Sequence, residues 1–127
     1  MTISNTLKYI FLIYFILSLI FGIIFFLIPE EITTMTAWPF LDPVTERVMG
    51  SMFLGWAIGS LFAYRAKEWS EVKIFVLASL TWCLFGTVAF VWMMAIHATI
   101  PLLVGGLYLS LTALFFILFL YAYYTHN

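Results

Sequence analysis

From Tyr9 to Ile28 the chain runs for 20 residues with no ionisable side chain other than the phenols of Tyr9 and Tyr14. At about 1.5 Å of rise per residue, a helix of that length reaches about 30 Å, the thickness of the hydrocarbon layer of a bilayer. Composition extends the constraint to the whole chain. Of 127 residues, 65% are hydrophobic and 9% charged, with a mean hydropathy of +1.14; a globular domain holds about 45–50% apolar and about 25% charged residues. Such a chain needs lipid. The first run follows Lys8 and resembles a signal peptide in outline, but it exceeds the about 7–15 apolar residues of a signal core. Pro29-Glu30-Glu31 then follows it in place of a small-residue cleavage site, so a retained first span is expected.

Further runs complete four spans, at about 9–28, 44–64, 72–96 and 101–124. The expected fold is an all-α membrane protein, an antiparallel four-helix transmembrane bundle forming one domain. Span two starts sharply: Asp42 can cap it, Pro43 fits the first helical position, and Glu46 suits the positive end of the helix dipole. Its apolar part, Val48 to Tyr64, has 17 residues, the short end of the spanning range. Ser70 is the expected cap of span three. His97-Ala98-Thr99-Ile100 makes a tight turn before Pro101, where span four restarts. The longest connection, Glu30 to Asp42, carries Trp38-Pro39-Phe40, read either as an interfacial loop or short helix, or as a lid over a cavity.

With four spans, one side of the membrane holds Lys8, Arg65, Lys67 and Lys73, and the other only Arg47, with Glu30, Glu31, Asp42 and Glu46. The positive-inside rule then places both termini in the cytoplasm of a protein integral to the cell membrane. Five basic residues at a net charge of -1 give no basis for a nucleic-acid partner. The expected partners are the lipid bilayer and either further copies of the chain or another membrane protein.

Within span two, Arg47, Ser51, Gly55, Gly59 and Ala63 recur every four residues. On a helix they form one inclined row of small side chains ending in an arginine, and Gly55 to Gly59 is a GxxxG. Ser51, Gly55, Gly59 and Ala63 read as a packing surface, facing span one, span four or a second copy. Arg47 either snorkels and pairs with Glu30, Glu31 or a carbonyl, or contacts an anion or headgroup at a cavity mouth.

Chemistry is sparse. No span has Asp, Glu, Lys or His near its middle, which counts against coupled transport. The single cysteine, Cys83, has no cysteine partner, and no cluster shows zinc-ligand spacing, so neither a metal nor a cofactor is expected. His97 can join Asp42, Glu46 and Arg47 in a pH-responsive cluster, or can simply be a solvated or capping residue. Trp56 and Trp82 fall near mid-depth. With Tyr108 they either wall a site for a lipophilic molecule such as a quinone, lipid or isoprenoid, or they are packing bulk in a chain that is 20% aromatic. His126 reads as tail. Three functions follow: a non-enzymatic accessory or assembly component, a binder of a lipophilic small molecule, and a small oligomeric channel or transporter.

The segment DPVTERVMG at the start of span two, with Arg47 and Gly50, followed by a glycine-rich apolar helix and a short basic loop, resembles the small four-helix DoxX-like membrane proteins. The resemblance covers most of Phe21 to Tyr121. It implies a four-helix membrane fold and an accessory role, linked in some relatives to quinone-dependent respiratory complexes. No cysteine pair or quinone motif of those relatives maps onto this chain.

Overall fold

The computed structural model describes residues 1–39, 42–97 and 99–126. Among them every named element is a helix, and an isolated β-bridge joins Thr2 and Glu68. The helices are α1 (Asn5–Leu27), α2 (Pro29–Met35), α3 (Pro43–Arg65), α4 (Trp69–Ile96) and α5 (Leu102–His126). Phe40, Leu41 and Ala98 lie outside the described residues, so the Trp38-Pro39-Phe40 segment is followed only to Pro39 and the His97 to Ile100 turn is described without Ala98. By length and composition, α1, α4 and α5 are able to cross a membrane. At 23 residues α3 is as long as α1, but it is not among these three. Glu46, Arg47 and Arg65 at its ends, with Ser51, Gly55, Gly59 and Ser60 between them, hold down its hydropathy.

The chain divides into two compact units, Ser4–Arg65 and Met1–Ile3 with Ala66–Asn127. In the first, Ser4 caps α1 by accepting the Leu7 N–H at 3.2 Å. Pro29 forces the break after α1, because the residue before a proline avoids helical angles; Ile28 sits at φ -131° and ψ 50°. The same proline opens α2, whose first turn carries Glu30 and Glu31 where negative charge suits the dipole. A Schellman motif closes α2: the Ala37 N–H donates to the Thr34 carbonyl at 3.2 Å and the Trp38 N–H to the Thr33 carbonyl at 3.1 Å. Ala37 adopts the left-handed angle this requires, φ 54°, without being glycine.

Helices α1 and α3 pack antiparallel, since Gly22 meets Leu54 while Phe26, one turn later, meets Gly50, one turn earlier. Their backbones approach closely at Gly50. A Cβ added there would lie 2.6 Å from the Phe26 nitrogen and 3.0 Å from the Gly22 oxygen. The rings of Phe21, Phe25 and Phe53 group beside this crossing, with centroids 6.0 to 6.1 Å apart.

In the second unit α4 is capped by a reciprocal pair of glutamates. Glu68 holds the N-cap position and accepts from the Glu71 backbone, while the Glu71 Oε2 accepts the N–H groups of Lys67 and Glu68, each at 2.9 Å. Ser70, expected as the cap, lies inside the helix: two carboxylates spaced three apart satisfy more orphan N–H groups than one hydroxyl. Along the antiparallel α4/α5 pair, a Cβ on Gly86 would lie 3.4 Å from the Thr112 Cγ2, and the rings of Phe90 and Tyr108 are 5.7 Å apart. Farther along, Trp69 meets Tyr123 and His126, with centroids 6.1 Å and 5.1 Å away.

Candidate functional site

The junction of α2 and α3 concentrates polar chemistry. Arg47 presents both terminal nitrogens to the two oxygens of Glu30, at 3.3 and 3.4 Å, a forked ion pair with both side chains about half exposed. One residue earlier, Glu46 turns the other way and accepts the Thr33 hydroxyl proton on Oε1 at 2.8 Å. Its Oε2 is buried with no hydrogen-bond partner among the described residues. Asp42 accepts the Thr45 N–H at 3.2 Å and the Thr45 hydroxyl at 2.7 Å, which caps α3 as the sequence suggests. These bonds, the hydroxyl first, hold the Asp42 carboxyl below its ordinary pKa. Two side-chain links, Glu30 to Arg47 and Thr33 to Glu46, therefore tie α2 to α3.

Arg47 accordingly has its charge matched by Glu30, the pairing that was one of its two sequence readings. His97 caps α4, its N–H donating to the Met93 carbonyl at 2.9 Å, and belongs to the second unit. Asp42, Glu46 and Arg47 belong to the first. Among the described residues no three His, Cys, Asp or Glu side chains gather in a way that could hold a metal ion.

The row of small residues on α3 is not one surface in its surroundings. Ala63 is buried and Gly59 half-buried, whereas Ser51 and Gly55 are exposed. A Cβ on Gly55 would meet nothing within 4 Å. The close approach of α1 and α3 falls on Gly50, which lies on a different face, and on Gly22 of α1. Ser51 returns its hydroxyl to the Val48 carbonyl at 2.7 Å, as Thr81, Thr87 and Ser110 do to their own helices, so each hydroxyl is satisfied without water.

Of the aromatic candidates, Trp56 is half-buried on α3 in the first unit, and Trp82 and Tyr108 are half-buried in the second, Tyr108 against Phe90. The residue that sequence reasoning missed is His126. It is 7% exposed, lies over Trp69 at an interplanar angle of 28°, and its Nδ1 is 2.8 Å from the Ala122 carbonyl. A carbonyl only accepts, so Nδ1 carries the proton in that bond. A signal existed in the aromatic residues at the start of α4 and the end of α5, but the register between the helices was needed to join them.

The helices and polar junction define a small all-helical protein carrying three helices of membrane-spanning length and apolarity. No family model matches the sequence, and no curated protein or solved structure matches it either.

Proposed function

We propose that this chain is a small, non-enzymatic integral membrane protein that acts as an accessory or assembly component, joining a second copy or another membrane protein through α3. In this reading α3 is the fourth span of an antiparallel bundle in the cell membrane, with both termini cytoplasmic. The observation that carries the proposal is the exposed part of the small-residue row. Gly55 and Ser51 leave a shallow groove on α3, and the chain's own helix crossing uses Gly22 and Gly50 in its place. Association of helices in lipid depends on close packing at such small residues, because lipid tails are as apolar as the side chains themselves. The modest hydropathy of α3 adds support, since a helix rich in Gly and Ser gains more from a protein neighbour than from lipid. Exposed Phe85, Trp92, Leu102, Leu103 and Ile117 on α4 and α5 support a lipid environment, as water would penalise them. The DoxX-like resemblance of DPVTERVMG points to the same accessory class.

The test is Gly55→Leu, examined by native mass spectrometry and by cross-linking in native membranes. Because Gly55 faces open space, the variant is expected to fold and melt like the parent while losing its oligomer or partner adduct. Unchanged association would refute the role of the groove. A monomer that carries a quinone or lipid in the same spectra, lost on Trp56→Ala, would replace this reading with that of a lipophilic-molecule binder around Trp56, Trp82 and Tyr108.

A further inference from the structure

At one end of the second unit, three segments meet on a single residue. Trp69, the first residue of α4, is 6% exposed, and its indole lies beneath the His126 ring and against the edge of Tyr123. Its Nε1–H has no hydrogen-bond partner among the described residues, so stacking and packing hold the ring. The backbone of the same residue does different work: the Trp69 N–H donates to the Met1 carbonyl at 2.8 Å. The Ile3 N–H donates to the Lys67 carbonyl at 3.0 Å, Thr2 and Glu68 form an antiparallel bridge, and Ile3 is buried. Residues 1–3 thus lie as a strap across the start of α4, and residue 126 presses on the ring of the residue that anchors it.

We infer that Trp69 is a latch that couples the docking of the Met1–Ile3 strap to the docking of the last turn of α5. Two backbone hydrogen bonds and an exposed ion pair between the Met1 ammonium and Glu68 at 3.3 Å hold so short a strap weakly, because fixing each residue opposes it with lost backbone entropy. Its order depends on a fixed position of Trp69, and that position is set by the His126 and Tyr123 rings. The coupling is reciprocal, as any linkage of two equilibria through one shared element must be. Loosening the strap frees the Trp69 backbone and so loosens the ring stack, and removing the His126 ring loosens the strap.

Hydrogen exchange on the full-length protein in detergent tests it. His126→Ala is expected to speed exchange of the Ile3 and Trp69 amides about twofold to tenfold, the span set by the worth of one aromatic pair. The amides of Phe90 and Tyr108, midway along the α4/α5 pair, are expected to keep their rates, which verifies the fold. His126→Phe retains a ring over Trp69 and should restore near-parental exchange. In the reverse direction, Ile3→Ala should weaken the nuclear Overhauser contact between the Trp69 and His126 rings. Unchanged Ile3 and Trp69 exchange in His126→Ala, a uniform acceleration at all four amides, or no restoration by His126→Phe would each overturn the latch.

Discussion

The two helix pairs place different groups at their closest contacts. In the α1/α3 pair, glycine removes side chains at the crossing, and backbone meets backbone at Gly50 and Gly22. In the α4/α5 pair, large rings fill the space, with Trp69 against His126 and Tyr123, and Phe90 against Tyr108. Where lipid surrounds helices it supplies little hydrophobic force to bring them together, and contact itself must provide the stability. A glycine crossing does so by bringing whole backbones into van der Waals range. A ring-filled pair does so with a few side chains of large area. The first kind tolerates no added atom at its centre; the second tolerates no lost ring.

The largest effect is expected where one ring supports most of an end. Trp69→Ala should destabilise the α4/α5 pair by about 3–5 kcal/mol, the usual range for removing a buried tryptophan. Thermal unfolding in detergent, followed by near-ultraviolet circular dichroism, measures it; a loss under about 1 kcal/mol would show that rings do not carry that pair.

The next test sets the two pairs against each other with the same change. Gly50→Ala places a Cβ 2.6 Å from the backbone nitrogen of Phe26, which cannot move without shifting α1. A loss of about 2 kcal/mol is expected for overpacking of this kind. Gly86→Ala, whose Cβ would meet a Thr112 methyl at 3.4 Å, should change stability by less than about 1 kcal/mol, helped by the better helix propensity of alanine. Equal melting temperatures for the two variants would remove the distinction between the pairs.

The smallest change lies in the connection. Ala37 is held at φ 54° by the Schellman motif that closes α2, a conformation glycine adopts freely. Ala37→Gly should therefore stabilise the Ser4–Arg65 unit by about 1 kcal/mol, read as a rise in its unfolding temperature. A fall would mean that the added freedom of the unfolded glycine outweighs the relief of strain.

Much of this was legible in the residues. Several helix limits follow from caps and breakers: Pro29 ends α1, Asp42 and Pro43 start α3, and Pro101 precedes α5. These signals act within a turn of the chain, so local reading captures them. The pairing of Arg47 with Glu30 was also foreseeable, because α2 is too short to carry Glu30 far from the start of α3. The surface used at the helix crossing was not. A four-residue repeat identifies a row, but the rotation of α3 about its own axis decides which row meets α1, and that rotation brings Gly50 to the crossing and leaves Gly55 facing outward. Nor was the role of His126, since it depends on the register between α4 and α5.

By itself the sequence determined an all-helical chain with runs long and apolar enough to cross a membrane, several of its breaks and the charges near them, because hydropathy, propensity and capping are properties of short segments. Tertiary structure alone decided which glycines touch a backbone and which stay open, that Glu46 and Arg47 turn to different partners on α2, and that Trp69 holds both Met1 and His126. Each of those outcomes depends on helix rotation and register, which are set by the summed packing of two elements and are encoded in no single stretch of either.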